Sequence, residues 1–151
     1  MKTTKEKQQD RVRRSTPEEI NKEIDQEIIG NIGAHSSSPE AIGQRLQELK
    51  NEWDIEKTLE VNASTLALAG VLLGAFVNRK WFILPGVVTT FLLQHGLQGW
   101  CPPLPVFRAM GIRTRQEINE EKMALKALRG DFKAVSDATS PSEVLRVIRK
   151  S

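Results

Sequence analysis

Two long uncharged runs in the middle of the chain constrain its fold more than any other feature. They span residues 61–77 and 81–100, and only residues 78–80 separate them. As a helix, the first run would rise roughly 25 Å, close to the roughly 30 Å of hydrocarbon in a bilayer. The flanks contain too few apolar residues to cover both runs in water. We therefore expect an all-α protein with a two-span transmembrane helical hairpin at 61–100 and amphipathic flanking helices, with a buried hairpin in a soluble helical protein as the alternative.

The two tryptophans that bracket the second run support insertion into a bilayer. Trp81 and Trp100 would be separated by roughly 28 Å along a helix. Tryptophan favours the boundary between hydrocarbon and water, so each indole is a predicted interface anchor. Pro85 fits the first turn of the second helix, where its missing N–H costs little.

The distribution of basic residues predicts the orientation of the hairpin. The loop between the two runs contains Arg79 and Lys80, whereas the flanks are richer in cations. The flanking cations are Arg45, Lys50, Lys57, Arg108, Arg113, Arg115, Lys122 and Lys126. Because Lys and Arg are retained on the cytoplasmic side, we expect a bacterial inner (cell) membrane protein with both termini in the cytoplasm.

These patterns divide the chain into four consecutive segments. Residues 1–37 are a charged arm followed by a short amphipathic helix, and residues 38–60 are an amphipathic juxtamembrane helix. The hairpin occupies 61–100, and 101–151 form a cytoplasmic helical tail. The start of the arm is highly charged and has no apolar rhythm, which predicts disorder over residues 1–14.

Capping signals divide the N-terminal flank into two helices. Thr16 and Pro17 predict the start of the first helix, and Gly30 predicts its end. A flexible Gly/Ser joint follows, after which Ser38 and Pro39 predict a second start. The apolar face of this second helix, which runs toward Leu59, carries Ile42, Leu46, Leu49 and Trp53.

The tail repeats these signals. Thr114 predicts the start of a helix and Gly130 predicts its end, with Ile118 and Leu125 on its apolar face. A last short helix should begin at Ser140. The apolar stripe of each flanking helix is too narrow for folding alone, so these helices need the membrane surface, one another or a protein partner.

Small residues recur at helical spacing along the first run. Ala63, Ala67, Gly70 and Gly74 form one smooth face, and the two glycines are a G-x-x-x-G pair. Lipid provides no hydrophobic drive for helices to pair, so close backbone packing has to supply it. The face predicts helix packing, either within the hairpin or between two chains. We expect the protein to form a homo-oligomer, namely a dimer.

Polar side chains are expected at one depth near the open end of the hairpin. They are Gln94, His95 and Gln98 on the second run and Asn62, Ser64 and Thr65 on the first. Mutual hydrogen bonds that fix the helix register are the favoured interpretation, because unsatisfied amides in lipid cost several kcal/mol. The alternative is a polar lining for a small permeant, or a proton site at His95.

Cys101 is the only cysteine, and two prolines follow it. Helical spacing places it on the face of Gln94 and Gln98, with His95 rotated away. Pro102 should end the helix, and the carbonyl dipoles at a helix C-terminus disfavour a thiolate. We therefore favour a structural helix end over a reactive thiol. No paired acids, catalytic triad, phosphate loop or metal-ligand set is visible, so we expect no enzyme activity, cofactor or metal.

Two segments beside the hairpin read WDIEKTLE at 53–60 and GWCPPLPVFRAMGIRT at 99–114. Together with the small-residue first run, they resemble the YgaP-like membrane-domain family. The Cys101-Pro102 pair and the Gly111 to Thr114 element carry most of the similarity. The resemblance implies an inner-membrane helical hairpin, a homodimer and a connection to sulfur handling. No rhodanese domain or its active-site cysteine loop accompanies these segments.

Together these features predict an anchor or assembly module in the lipid bilayer, with a possible protein partner for its cytoplasmic helices. The first alternative is a membrane-associated thiol or persulfide carrier that uses Cys101. The second alternative is a small oligomeric channel. A formal net charge of +3 is too small to indicate a nucleic-acid partner.

Overall fold

The computed structural model describes residues 11–133, 142–144 and 148. All the regular structure in these ranges is helical, and no strand occurs in them, so the predicted all-α class is confirmed. The helices are α1 (Arg11–Arg14), α2 (Glu18–His35), α3 (Pro39–Asn51), α4 (Ile55–Phe76), α5 (Ile83–Gln98), α6 (Leu104–Ala109) and α7 (Arg115–Arg129). A short 3₁₀ turn, Arg79–Phe82, lies between α4 and α5.

The described residues form two compact units, each built from two separate stretches of sequence. The first, which we call the hairpin unit, consists of the described residues within 1–24 and 53–115. The second, the helix-pair unit, consists of the described residues within 25–52 and 116–151.

In the hairpin unit, α4 and α5 run antiparallel and pack along one side of each other. Two glycines of α4, Gly70 and Gly74, are buried in this contact. A methyl group added to Gly70 would lie 2.5 Å from Cδ of Pro85, and one added to Gly74 would lie 3.0 Å from the ring of Phe82. These glycines therefore allow the two helices to approach closely, and their contact is made within one chain.

A small apolar core closes the end of the hairpin unit away from the 3₁₀ turn. Its buried members are Val12, Ile55, Leu59, Cys101 and Leu104, with Phe107 and Ile112 packed against them. The core joins α1, the start of α4 and α6. We call this end of the unit the base.

The helix-pair unit has its own core, built from α3 and α7. Its buried members are Ile42, Leu46, Leu49, Ile118 and Leu125. Arg45 donates from Nε to Oε1 of the fully buried Glu121 over 2.8 Å, which ties the two helices together beside this core. The predicted N-cap is confirmed, because the Ser38 side chain accepts a hydrogen bond from Ala41 N and Pro39 is the first helical residue.

The structure corrects three predicted helix boundaries. Gly30 does not end α2, which continues to His35, so the expected flexible joint is largely helical. The helix of Ile42 does not run on toward Leu59: α3 ends at Asn51, and Asp54 caps a new helix that begins at Ile55. Part of the expected disordered arm, Arg11–Arg14, is a helical turn.

Two other expectations concern parts of the chain that are described little or not at all. Residues 1–10 of the predicted arm lie outside the described residues. The helix predicted from Ser140 also falls largely outside them, since only 142–144 and 148 are described there.

One helical segment in the described ranges is long and apolar enough to cross a membrane. It is Pro39–Phe76, which residues 52–54 interrupt, and its most apolar 18-residue window has a mean hydropathy of 1.6 with 17% buried. The 16 residues of α5 would rise about 24 Å, and they are fewer than the roughly 17–25 residues of a typical membrane-spanning helix. The second membrane span therefore stays a prediction.

Candidate binding site at the base of the hairpin

A cavity of about 280 Å³ lies between α4, α5 and the start of α6. Its lining residues are Leu59, Asn62, Ala63, Leu66, Val88, Phe91, Leu92, His95, Cys101, Pro102, Pro103 and Phe107. Apart from Asn62, His95 and Cys101, all of these are apolar, and none is an acid, a lysine or an arginine. We call this space the hairpin cavity.

The hairpin cavity brings together His95 and Cys101 but not the two glutamines that were expected to share the face of Cys101. Gln94 and Gln98 do not line it. The difference arises because α5 ends at Gln98 and the chain turns at Gly99, whose φ is 75°. Helical spacing cannot be extended across that turn, so the face expected for Cys101 was wrong.

Cys101 follows the turn at the end of α5, and its side chain is buried. The residue is only 3% exposed. Burial raises the pKa of the Cys101 thiol, and the opposing hydrogen bond from the backbone N–H of Leu104 does not offset it. The thiolate, which is the nucleophile, is therefore disfavoured here.

The polar groups on α4 make their described hydrogen bonds within that helix. Asn62 Nδ2 donates to the Thr58 carbonyl over 3.0 Å. Thr65 Oγ1 donates to the Val61 carbonyl over 2.7 Å. These bonds pair one N–H of Asn62 and the Thr65 hydroxyl within α4, whereas the sequence favoured bonds across the hairpin.

A second cavity of about 350 Å³ lies at the base, on the side of α1. Its lining residues are Arg11, Val12, Glu56, Leu59, Glu60, Leu92, His95, Gly96 and Gly99. Arg11 Nη1 donates to the carbonyls of Gly96 and Leu97, over 3.1 and 3.0 Å. A cation at the C-terminus of a helix stabilises its exposed carbonyls. Arg11 therefore caps α5.

Arg108 holds the N-terminal segment onto the base, and sequence reasoning missed this role. Its side chain is fully buried. Nε donates to Thr16 Oγ1 over 3.1 Å, and Nη2 donates to Asn21 Oδ1 over 3.0 Å. Nη1 donates to the Ile112 carbonyl over 3.1 Å. The sequence marked Arg108 only as a flanking cation, and no local pattern links it to Thr16 or Asn21.

The two segments that carry the family resemblance meet at the base. Asp54 accepts a hydrogen bond from Lys57 N over 2.7 Å, so it is the N-cap of α4. Arg115 Nε donates to Asp54 Oδ2 over 2.8 Å. Next to this pair, Ile55 N donates to the Arg113 carbonyl over 2.9 Å. The start of α4 is thus fixed to the stretch that precedes α7.

The predicted interface tryptophans lie near opposite ends of α5 with exposed side chains. Trp81 is 45% exposed and Trp100 is 38% exposed. Ala63 lines the hairpin cavity, and Ala67 is half-buried.

No group of three or more His, Cys, Asp or Glu side chains that could hold a metal ion occurs in the described part of the chain. Comparison with family models, with curated proteins and with solved structures finds no match to this chain.

Proposed function

We propose that this protein is a two-span membrane protein in which α4 and α5 anchor the chain in the bacterial inner membrane. In this proposal it acts as an anchor or assembly module without catalysis, and the resemblance to the YgaP-like family supports the same architecture. The cytoplasmic helices then serve as a platform for a protein partner.

The observation that carries the proposal is the apolar outer surface of the hairpin. α5 contains no buried residue, although most of its side chains are apolar. Phe76 is 83% exposed, Ile83 is 70% exposed and Leu97 is 69% exposed. Soluble proteins rarely leave a continuous apolar surface of this kind in water. Acyl chains would cover it on all sides.

The cation distribution supports an orientation with both termini in the cytoplasm. Arg79 and Lys80 are exposed at the 3₁₀ turn, which would be the only part of the hairpin on the outer side. The more numerous cations beyond the base would remain inside.

A homodimer is part of the proposal, and its contact needs a surface other than the small-residue face of α4, for which packing within or between chains had both been considered. Gly70 and Gly74 are covered by α5 and the 3₁₀ turn of the same chain. A second copy would therefore pack on an outer face of the hairpin, such as the face that includes Leu68 or Leu93, which are both exposed.

The persulfide carrier is the weaker candidate. Its acceptor would be Cys101, and burial of that thiol raises its pKa. Transfer of sulfur to Cys101 would require the base to open first. The channel alternative needs an oligomer, because one hairpin cannot enclose a pore.

Alkaline extraction of cell membranes tests the anchor directly. We expect the chain to stay in the pellet and to be released only by detergent. A chain found in the soluble fraction before alkali is added would contradict the proposal.

Labelling of single cysteines tests the orientation. In a Cys101→Ser background, Arg79→Cys should react with a membrane-impermeant maleimide in intact spheroplasts. Met123→Cys on α7, which is 55% exposed, should react only after permeabilisation. The reverse pattern would contradict cytoplasmic termini.

Disulfide crosslinking in the same background tests the dimer. Cysteines placed at Leu68 and at Leu93 should yield a crosslinked dimer from at least one position. A cysteine at Asn78, at the hairpin turn, serves as the comparison. Only monomer at every position, under conditions that crosslink a known membrane dimer, would contradict the homodimer.

A further inference from the structure

The charge character of the hairpin cavity limits what it can bind. None of its lining residues is an acid, a lysine or an arginine. Moving an ionised group into such a space without a partner is strongly unfavourable. A ligand of this cavity is therefore uncharged.

The polar side chains of the cavity indicate where such a ligand would be held. Asn62 reaches it from α4 and His95 reaches it from α5. An imidazole carries at least one N–H donor in either tautomer, and a carboxamide carries both donors and an acceptor. Phe91 and Phe107 add aromatic surface to the same lining. Donors beside aromatic rings suit a planar molecule with carbonyl acceptors.

The size and opening of the cavity fit entry from the bilayer. Its volume of about 280 Å³ is near the lower end of the range for small-molecule pockets, roughly 300–1,000 Å³. Leu66 and Phe91 line it and are also exposed on the outside of the hairpin, at 47% and 38%. The cavity is thus continuous with the surface that acyl chains would cover.

From these observations we infer that the hairpin cavity binds an uncharged, lipid-soluble ring compound with carbonyl acceptors, the chemistry of a membrane quinone. His95 donates to a ring carbonyl, Asn62 lines the opposite side, and the alkyl tail leaves between Leu66 and Phe91. Cys101 forms part of the wall and makes no covalent bond to the ligand. This inference rests on the proposed function, because the bilayer delivers the ligand.

The test uses the purified full-length chain in detergent micelles and a benzoquinone with a decyl tail. Binding is measured by equilibrium dialysis, with empty micelles subtracted. Decanoate, which has the same tail and a charged head, is the comparison ligand. We expect saturable binding of the quinone and no saturable binding of decanoate.

Two variants locate the binding. His95→Leu removes the donor and should weaken quinone binding about tenfold, which corresponds to about 1.4 kcal/mol. Ala63→Phe fills the cavity and should abolish saturable binding. The matched controls are Thr89→Leu on α5 and Ala75→Phe on α4, which are exposed and lie outside the cavity lining. Both controls should bind the quinone as the wild type does.

Wild-type affinity in His95→Leu would overturn the inference even if Ala63→Phe failed to fold by circular dichroism. Decanoate binding as tight as that of the quinone would also overturn it. A chain that stays in alkali-washed membranes but binds no quinone contradicts this inference alone. Release of the chain by alkali contradicts the membrane anchor itself.

Discussion

Arg115, the first residue of α7, donates from Nε to Oδ2 of Asp54, the residue that caps α4, over 2.8 Å. Asp54 uses its other carboxylate oxygen for the N–H of Lys57. One carboxylate therefore starts the first hairpin helix and fixes its position against the stretch before α7. Arg115 is mostly exposed, so the ion pair itself contributes modestly, and the cap contributes more.

We predict that Asp54→Ala will destabilise the hairpin unit by about 1 kcal/mol, the usual cost of losing an N-cap. Asp54→Asn should cost less, because asparagine retains a capping oxygen. Arg115→Gln should cost no more than Asp54→Asn. Thermal unfolding of the full chain in detergent, followed by circular dichroism, measures all three. A larger loss in Arg115→Gln than in Asp54→Ala would show that the ion pair dominates.

The same carboxylate predicts a dependence of stability on pH. Burial alone would raise the pKa of Asp54, but the hydrogen bonds from Arg115 and from the backbone of Lys57, together with the positive charges of these two residues, lower that pKa below its usual value. A lowered pKa in the folded state means that its stabilisation is present above the unfolded value and is lost as pH falls through the folded value. Wild type should therefore lose its stability advantage over Asp54→Asn as pH falls below about 4. An advantage that is constant from pH 7 to pH 2 would contradict this.

Close packing of α4 on α5 makes opposite predictions for two helical glycines. Gly70→Ala places a methyl group 2.5 Å from Cδ of Pro85 and should destabilise the hairpin by about 1–3 kcal/mol. Gly86→Ala meets nothing within 4 Å and should be neutral or stabilise by up to about 1 kcal/mol. Melting temperatures in the same detergent provide the comparison. Equal effects of the two substitutions would show that the hairpin contact is absent in solution.

Burial of Cys101 predicts slow alkylation. Because burial raises the pKa of the Cys101 thiol above its usual range, the thiol should react with iodoacetamide at neutral pH much more slowly than free cysteine does. The rate should rise with pH with a midpoint above that of a free thiol, and unfolding in denaturant should abolish the difference. Labelling of the folded chain at the rate of free cysteine would favour the thiol-carrier alternative.

Local signals in the sequence predicted the parts of the fold that depend on neighbouring residues. Ser38 and Pro39 begin α3, Ile42, Leu46 and Leu49 form its buried face, and Gly130 follows the end of α7 with a φ of 86°. Each of these features follows from helical spacing or from the conformational preference of one residue. The helical class follows from the same signals.

Other features could not be read from local patterns. Gly30 has a weak preference against helix, which the rest of α2 overrides. Asp54 lies between the end of α3 and the start of α4, but the apolar stripe that continues past it in the sequence favoured one continuous helix. The contacts of Arg108 with Thr16 and of Arg11 with α5 join residues more than 80 positions apart, and no periodicity reports such distances. The predicted helix face of Cys101 was wrong because a turn at Gly99 separates this residue from α5.

The hydrogen bond from Arg108 to Thr16 has a consequence for biosynthesis. The two residues are 92 positions apart, so at ribosomal speeds of roughly 5–20 residues per second the N-terminal segment waits several seconds for its partner. α4 and α5 both lie between these two residues in the sequence, so both helices are synthesised before the contact can form. If the hairpin inserts into a membrane as proposed, the N-terminal segment therefore binds the base only after both helices have been made.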